Sequence, residues 1–241
     1  MRLLSALLLA LLLTGCATEQ NRFDPLEPVN RSSYALTDIL DKTIVEPVAD
    51  GYIWLVPKSI RIVTSNFFDN IGYLNVVLNS LLQGKGKQGL SDAARFVINS
   101  TLGIAGLADV ATPLGFEKHN EDFGQTLAVW GLSEGGYLFV PVLGPSSYRA
   151  APGYATQYAT SGLTYIANTM AQTVALPITA LWLIDTRARL KDAGEMRDEL
   201  ALDPYLFTRD AYRQRVNYLV HDGNPPKAKE EESWDQDEWD K

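Results

Sequence analysis

Cysteine is almost missing from this chain of 241 residues; Cys16 is the only one. An internal disulfide and a cysteine-built metal cluster are therefore excluded. Histidine is nearly as scarce, and His119 and His221 stand 102 positions apart, so no histidine-rich metal site is expected either. Basic charge is in deficit. Twenty-one Lys+Arg against 29 Asp+Glu leave a net −8, which excludes sequence-independent binding of a phosphate backbone and any nucleic-acid partner. With 46% hydrophobic and 21% charged residues, the chain is no disordered tail protein. It lacks a clean apolar run of ~20 residues, the length of a spanning helix.

What is present begins with an address. Arg2 precedes Leu3–Leu13, an apolar run broken only by Ser5 and suited to the hydrophobic region of a signal peptide over residues 1–15. Leu13-Thr14-Gly15-Cys16 follows and resembles the lipobox of bacterial lipoproteins. Cys16 is thus the expected lipidation site, carrying diacylglycerol and an N-terminal acyl group as the only attached groups, with no other cofactor. At ~0.8 kcal/mol per buried CH₂ such an anchor is effectively permanent. No Asp stands at position 17, which resembles an outer-membrane address. Residues 16–23 form a short lipidated tether, and the folded domain is expected over 24–221.

From Asp222 the chain is acidic, with eight acids, three lysines and the breaker Asn224-Pro225-Pro226. Residues 222–241 are read as a disordered tail that solubilises the protein or, through Trp234 and Trp239, docks to a partner.

The body reads as all-α. Ile60, Val63, Phe67, Ile71, Leu74, Leu78 and Leu81 recur at helical spacing over Ser59–Leu82, stopped by Gly84 and Gly86. A second helix is predicted from about Gln88 to Ala108, a third over Leu163–Lys191 bent or broken at Pro177, and a last over Pro204–Val220. Thr126–Leu143 is predicted as a glycine-rich, hairpin-like loop. Between Phe123 and Ile184 only Glu134 and Arg149 are charged, where the average of 21% would give about 13. Uncharged but polar-spotted helices suit either a protein lying in the bilayer around an amphipathic cavity or a buried helix of a globular domain.

Several blocks together resemble the MlaA family, also called VacJ, of outer-membrane lipoproteins. Asp24-Pro25-Leu26-Glu27-Pro28-Val29-Asn30-Arg31 matches its opening signature. Ser65-Asn66-Phe67, Asn79-Ser80-Leu81-Leu82-Gln83-Gly84, Asn99 to Ala111, Asp122-Phe123-Gly124-Gln125-Thr126-Leu127, Leu143-Gly144-Pro145-Ser146 and Asp203-Pro204-Tyr205 follow in family order. Two departures occur, Gly135-Gly136-Tyr137 for Gly-Pro-Tyr and Arg149-Ala150 for Arg-Asp.

The resemblance implies one ring-like helical domain in the inner leaflet of the outer membrane of a Gram-negative bacterium, on the periplasmic side. Such a protein associates with a trimeric porin and passes mislocalised outer-leaflet phospholipid to a soluble periplasmic lipid carrier. Asn66, Asn70, Asn75 and Asn79, with Arg149, are candidates for the lipid channel, though capping and helix–helix hydrogen bonds explain such asparagines as well. Gly131, Gly135, Gly136 and Gly144, with Tyr137, Leu138 and Phe139 between them, are candidates for a movable gate, or else pack as core and tight turns. A porin accessory without a lipid path shares the same anchor features.

An enzyme is the rival class. Gly131-Leu132-Ser133-Glu134-Gly135 fits the G-x-S-x-G of lipases and esterases, but a poor helix-former follows Ser133 and His221 borders the tail, so no catalytic residue is assigned. His119 reads as a solvated loop histidine, and Gly84 to Gly89 as a basic turn facing headgroups or water. Replacing the lipidation site gives the first test: Cys16→Ser should accumulate as an unprocessed precursor on immunoblots, and a mature-length, membrane-retained product would overturn the assignment.

Overall fold

The computed structural model describes residues 23–226. The signal peptide, Cys16 and all of the tether but Phe23 lie outside the described residues, as does the acidic tail beyond Pro226. Helix α1 (Glu27–Leu40) starts with Pro28 in its first turn and passes through a π-helical turn, Asp41–Val45, into α2 (Glu46–Leu55). Pro47 has no N–H for the preceding turn, and the wider turn absorbs that break. After Pro57 comes α3 (Lys58–Leu82), then α4 (Gly86–Thr101). Left-handed Gly84, with the Lys85 amide bonded to the Ser80 carbonyl, closes α3.

The predicted second helix is shorter than expected. It stops at Thr101 because the Gly106 amide turns back to the Asn99 carbonyl, while the Asn99 side chain receives the Val110 and Ala111 amides. Gly106 has φ +88°, and a Cβ there would come 2.3 Å from Cβ of Asn70, so only glycine fits.

Asp122 caps α5 (Phe123–Val129) by accepting the Gln125 amide at 2.8 Å, so the first part of the expected loop is helical. Strands β1 (Tyr137–Val140) and β2 (Gly144–Ser147) then pair antiparallel, Tyr137 opposite Ser147. Helices α6 (Gly153–Thr160), α7 (Gly162–Thr169), α8 (Gln172–Arg189), α9 (Lys191–Leu200) and α10 (Pro204–Val220) complete the chain. The third predicted helix breaks at Met170-Ala171, not at Pro177. Pro177 lies near the start of α8 and leaves only the Thr173 carbonyl without its ladder donor. Asp203 caps α10 through the Tyr205 and Leu206 amides.

Burial runs opposite to that of a water-soluble domain. Among the described residues nine hydrophobic side chains are buried against fourteen polar or charged ones. Trp54 is 84% exposed and Ile104 71%, and the stripe of α3 points outward at Ile60, Val63, Leu74, Leu78 and Leu81. The buried face of α3 instead carries Phe68, Asn70, Tyr73, Val77, Asn79 and Ser80. No helix among the described residues is long and apolar enough to cross a membrane.

One aromatic cluster joins the first and last parts of the described residues. Tyr137, Phe139 and Tyr205 are buried, with Phe23, Tyr34, Leu206 and Tyr212 packed around them. Asp24, 1% exposed, accepts from Asn30 Nδ2 at 2.8 Å and from Tyr205 Oη at 2.5 Å. Asn30 also donates to the Tyr137 carbonyl and accepts the Phe139 amide, so its side chain acts as one rung of a ladder beside β1. Tyr137 and Phe139 thus pack as core in this structure, the alternative to gate bulk. Gly136 lies where a Cβ would meet Pro25 and the Tyr148 ring at 2.9 Å, and Gly131, Gly135 and Gly144 take the positive φ of tight turns. Asp222 also belongs to the fold, since it pairs with Lys85.

Tyr205→Phe deletes one buried bond to a carboxylate and should lower the unfolding free energy in detergent by about 1.5–3 kcal/mol. An unchanged melting curve would remove the clamp from the account of stability. A pH effect follows from Asp109. Its burial raises the carboxyl pKa, but bonds from the Thr112 hydroxyl, Arg95, the Thr112 amide and Asn99 outweigh it and hold the pKa at about 2. A depressed acid stabilises the fold above its unfolded pKa and loses that contribution as pH falls through the folded value. Melting temperature should thus fall between about pH 4 and 2, less steeply in Asp109→Asn.

Candidate functional site

A cavity of about 590 Å³ opens between α3, the extended segment 116–122, α6, α7 and α8. Its apolar lining comes from Phe68, Ile71, Val76, Leu163 and Trp182. Asn75, Asn120, Gln157 and Ser161 supply uncharged polar groups, while Asp69, Lys118, Glu121, Asp122 and Arg189 bring charge. Such a lining offers contacts for both ends of an amphiphile.

The 116–122 segment is held as a wall by bonds to the α3–α4 pair. The His119 amide donates to Tyr73 Oη, and His119 Nδ1 lies 2.8 Å from Asp92 Oδ1. Asp92 is fully buried and also accepts from Tyr73 Oη and Ser80 Oγ. Burial raises the pKa of Tyr73, which the bond to Asp92 reinforces against the opposing His119 amide. Glu121, 4% exposed, receives Gln83 Nε2, Lys85 Nζ and Gln88 Nε2. Lys85 therefore turns inward to Glu121 and Asp222 instead of facing headgroups, and His119 is a bonded cavity residue instead of a solvated loop histidine.

The other walls close on α3 by small residues. A Cβ on Gly162 would lie 3.0 Å from Ile71, which lets α7 approach, and Thr160 Oγ1 reaches Asn75 Oδ1 at 3.3 Å.

Of the asparagine row, Asn75 lines the main cavity. Asn66 and Asn70 line a neighbouring polar niche of about 30 Å³, beside Tyr73, Arg95 and Asn99. Asn79 is fully buried, donating to Asn75 and accepting from Thr126 Oγ1, so it is a structural bond and not channel lining. Arg149 is not among the lining residues either; its Nη1 donates to the Leu132 carbonyl and its charge faces Glu134, whose pKa burial raises. None of Gly131, Gly135, Gly136, Tyr137, Leu138, Phe139 or Gly144 lines the cavity.

Lys118, Trp182 and Arg189 were missed by sequence reasoning. Position 189 lies seven residues beyond Trp182, so two helical turns bring both to one side of α8, a signal available only once α8 is known to be a wall.

Ser133 is exposed and stands after α5 and before β1, the reverse of the strand-then-helix order of a nucleophile elbow. His221 Nδ1 pairs with the Asn217 carbonyl at the end of α10.

Comparison with known proteins gives a consistent result. The MlaA lipoprotein family matches residues 22–219. The intermembrane phospholipid transport system lipoprotein MlaA of Escherichia coli K12 is 34% identical over 229 residues, covering 91% of this chain and 89% of that one. The protein of the same name from Haemophilus influenzae is 29% identical, with 95% and 94% covered. A solved structure described under the structural basis for maintenance of bacterial outer membrane lipid asymmetry superposes with a TM-score of 0.70 at 30% identity, over 83% of this chain and all of the other. By these matches the chain belongs to the MlaA lipoprotein family.

Proposed function

We propose that this chain is the outer-membrane lipoprotein of an intermembrane phospholipid transport system. It takes mislocalised outer-leaflet phospholipid through the cavity beside α3 and passes it to a soluble periplasmic carrier, preserving lipid asymmetry. Acylated Cys16 anchors it on the periplasmic side of a Gram-negative outer membrane, where a trimeric porin is its neighbour. The relatives above are named as lipoproteins of an intermembrane phospholipid transport system.

The observation that carries the proposal is the mixed cavity inside a fold that exposes many large apolar side chains. Exposed Ile60, Trp54 and Leu176 suit contact with acyl chains, while polar groups are kept inside, where a headgroup needs them. Surface and interior thus divide the two halves of a phospholipid between them.

Gly72 allows a test without damage to the fold. It lines the cavity, its φ is ordinary, and a Cβ there meets nothing within 4 Å. Gly72→Phe should narrow the path and weaken outer-membrane barrier function in a deletion strain. Gly72→Ala should keep the barrier, and so should Ser133→Ala, because the function requires no hydrolysis. A folded Gly72→Phe protein that protects the membrane at full strength would refute the path. Fatty-acid release lost on Ser133→Ala would establish an esterase instead.

A further inference from the structure

Most charged groups around the cavity are already matched. Glu121 is bound by Lys85 and two glutamines, Asp92 by Tyr73, Ser80 and His119, and one oxygen of Asp122 caps α5. Lys118 and Arg189 differ in sharing one partner. Both line the cavity, and both lean on Asp69, Lys118 Nζ at 2.5 Å from Oδ2 and Arg189 Nη1 at 2.8 Å from Oδ1. Two cations thus share one cavity-facing carboxylate. Arg189 Nε also lies 3.3 Å from Asp185, but that carboxylate is 1% exposed and faces Ser65 and Tyr52 behind the wall.

The Asp69 bonds leave donors to spare. Lys118 uses one of its three N–H groups there, and Arg189 keeps Nη2, which meets no protein acceptor among the described residues. Lys118 is 52% exposed and Arg189 39%, so the spare donors are open to the cavity. A point-charge ammonium and a planar guanidinium, fixed on opposite oxygens of one carboxylate, complement a singly charged tetrahedral diester. Phe68, Ile71, Leu163 and Trp182 lie in the same cavity to receive what is attached to it.

We propose that Lys118 and Arg189, positioned by Asp69, form the binding site for the phosphodiester of the transported phospholipid. This rests on the cavity being a lipid path and adds to it a fixed station for the headgroup. The chain as a whole is strongly acidic and acids line the same cavity, so attraction of the phosphate rests on these two cations and not on net charge.

Titration calorimetry on the full-length protein in dodecyl maltoside tests the site. The probes are dioctanoyl glycerophosphoethanolamine, dioctanoylglycerol, which lacks the phosphate, and inorganic phosphate. Wild-type protein should bind the phospholipid at least tenfold more tightly than dioctanoylglycerol. Lys118→Gln/Arg189→Gln should erase that difference while binding of dioctanoylglycerol stays the same. A folded double variant that keeps the tenfold preference overturns the site and leaves the cluster a structural ion pair. Should the double variant fail to fold, Lys118→Gln alone, a change at an exposed side chain, decides: the preference must fall at least threefold, and an unchanged preference overturns the site. Equal wild-type binding of both lipids sinks the phosphate site but keeps the lipid path; binding of neither sinks the path itself. Inorganic phosphate binding as tightly as the phospholipid would assign the cations to a free anion and overturn the headgroup station.

Discussion

Asp24 is the point on which the fold is tied. A buried carboxylate is expensive unless every lone pair is used, and here Asn30, Tyr205 and the nearby Arg209 guanidinium supply the donors. Through Asn30 the same group fixes β1, and through Tyr205 it fixes α10, 181 residues away in sequence. Arg31 repeats the connection outside, pairing with Asp203 at 2.9 Å and lying over the Tyr205 ring. The opening signature is thus a clasp that brings N-terminal, middle and C-terminal segments to one place.

That dependence on polar clasps follows from where the apolar side chains are. A domain with Trp54, Ile104 and the α3 stripe outside cannot draw its stability from removing those groups from water. Against lipid the tails are as apolar as leucine, and association relies on close packing and on hydrogen bonds between helices. The small-residue contacts at Gly89, Gly106 and Gly162 and the bonds of Asn70, Asn79, Asp92, Asn99 and Asp185 fill that role here. The same bonds make the cavity wall rigid. His119 and Glu121 are held by protein groups alone, so the wall is in place without a ligand.

How much of this could be read from the chain depends on the range of the cause. Helices α3 and α10 are local, set by periodicity and by Pro57, Gly84 and Asp203, and they stand within a residue of expectation. Helices α1 and α2 were not anticipated, because Pro28 and Pro47 look like breakers until one is seen in a first helical turn and the other beyond a π-turn. The glycine-rich loop did fold into a hairpin, yet whether Tyr137 and Phe139 plug a pore or fill a core depended on Asn30, more than a hundred residues earlier. The asparagine row illustrates the same limit: four residues on one helix divide into cavity lining, niche and pure structure according to what α4, α5 and α6 place opposite them. Lys118 and Arg189 had no visible relation at all, being 71 positions apart and joined only through Asp69.

The charge-poor stretch acquires a physical meaning in α8, the helix in which it ends. Residues 172–184 are uncharged, with Val174, Leu176, Leu181 and Leu183 turned outward. Charge returns abruptly at Asp185, Arg187 and Arg189, and each is paired at once: Arg187 with Asp41 and Glu46, Arg189 with Asp69. Lys191 and Arg197 continue the pattern on α9 with Asp50 and Asp38. Unpaired charge costs several kcal/mol in hydrocarbon, whereas a paired network at a water boundary costs little. One end of α8 therefore suits the bilayer and the other the aqueous face. Asp185 marks the junction of the two, and Arg189 lies one helical turn beyond it, on the charged side.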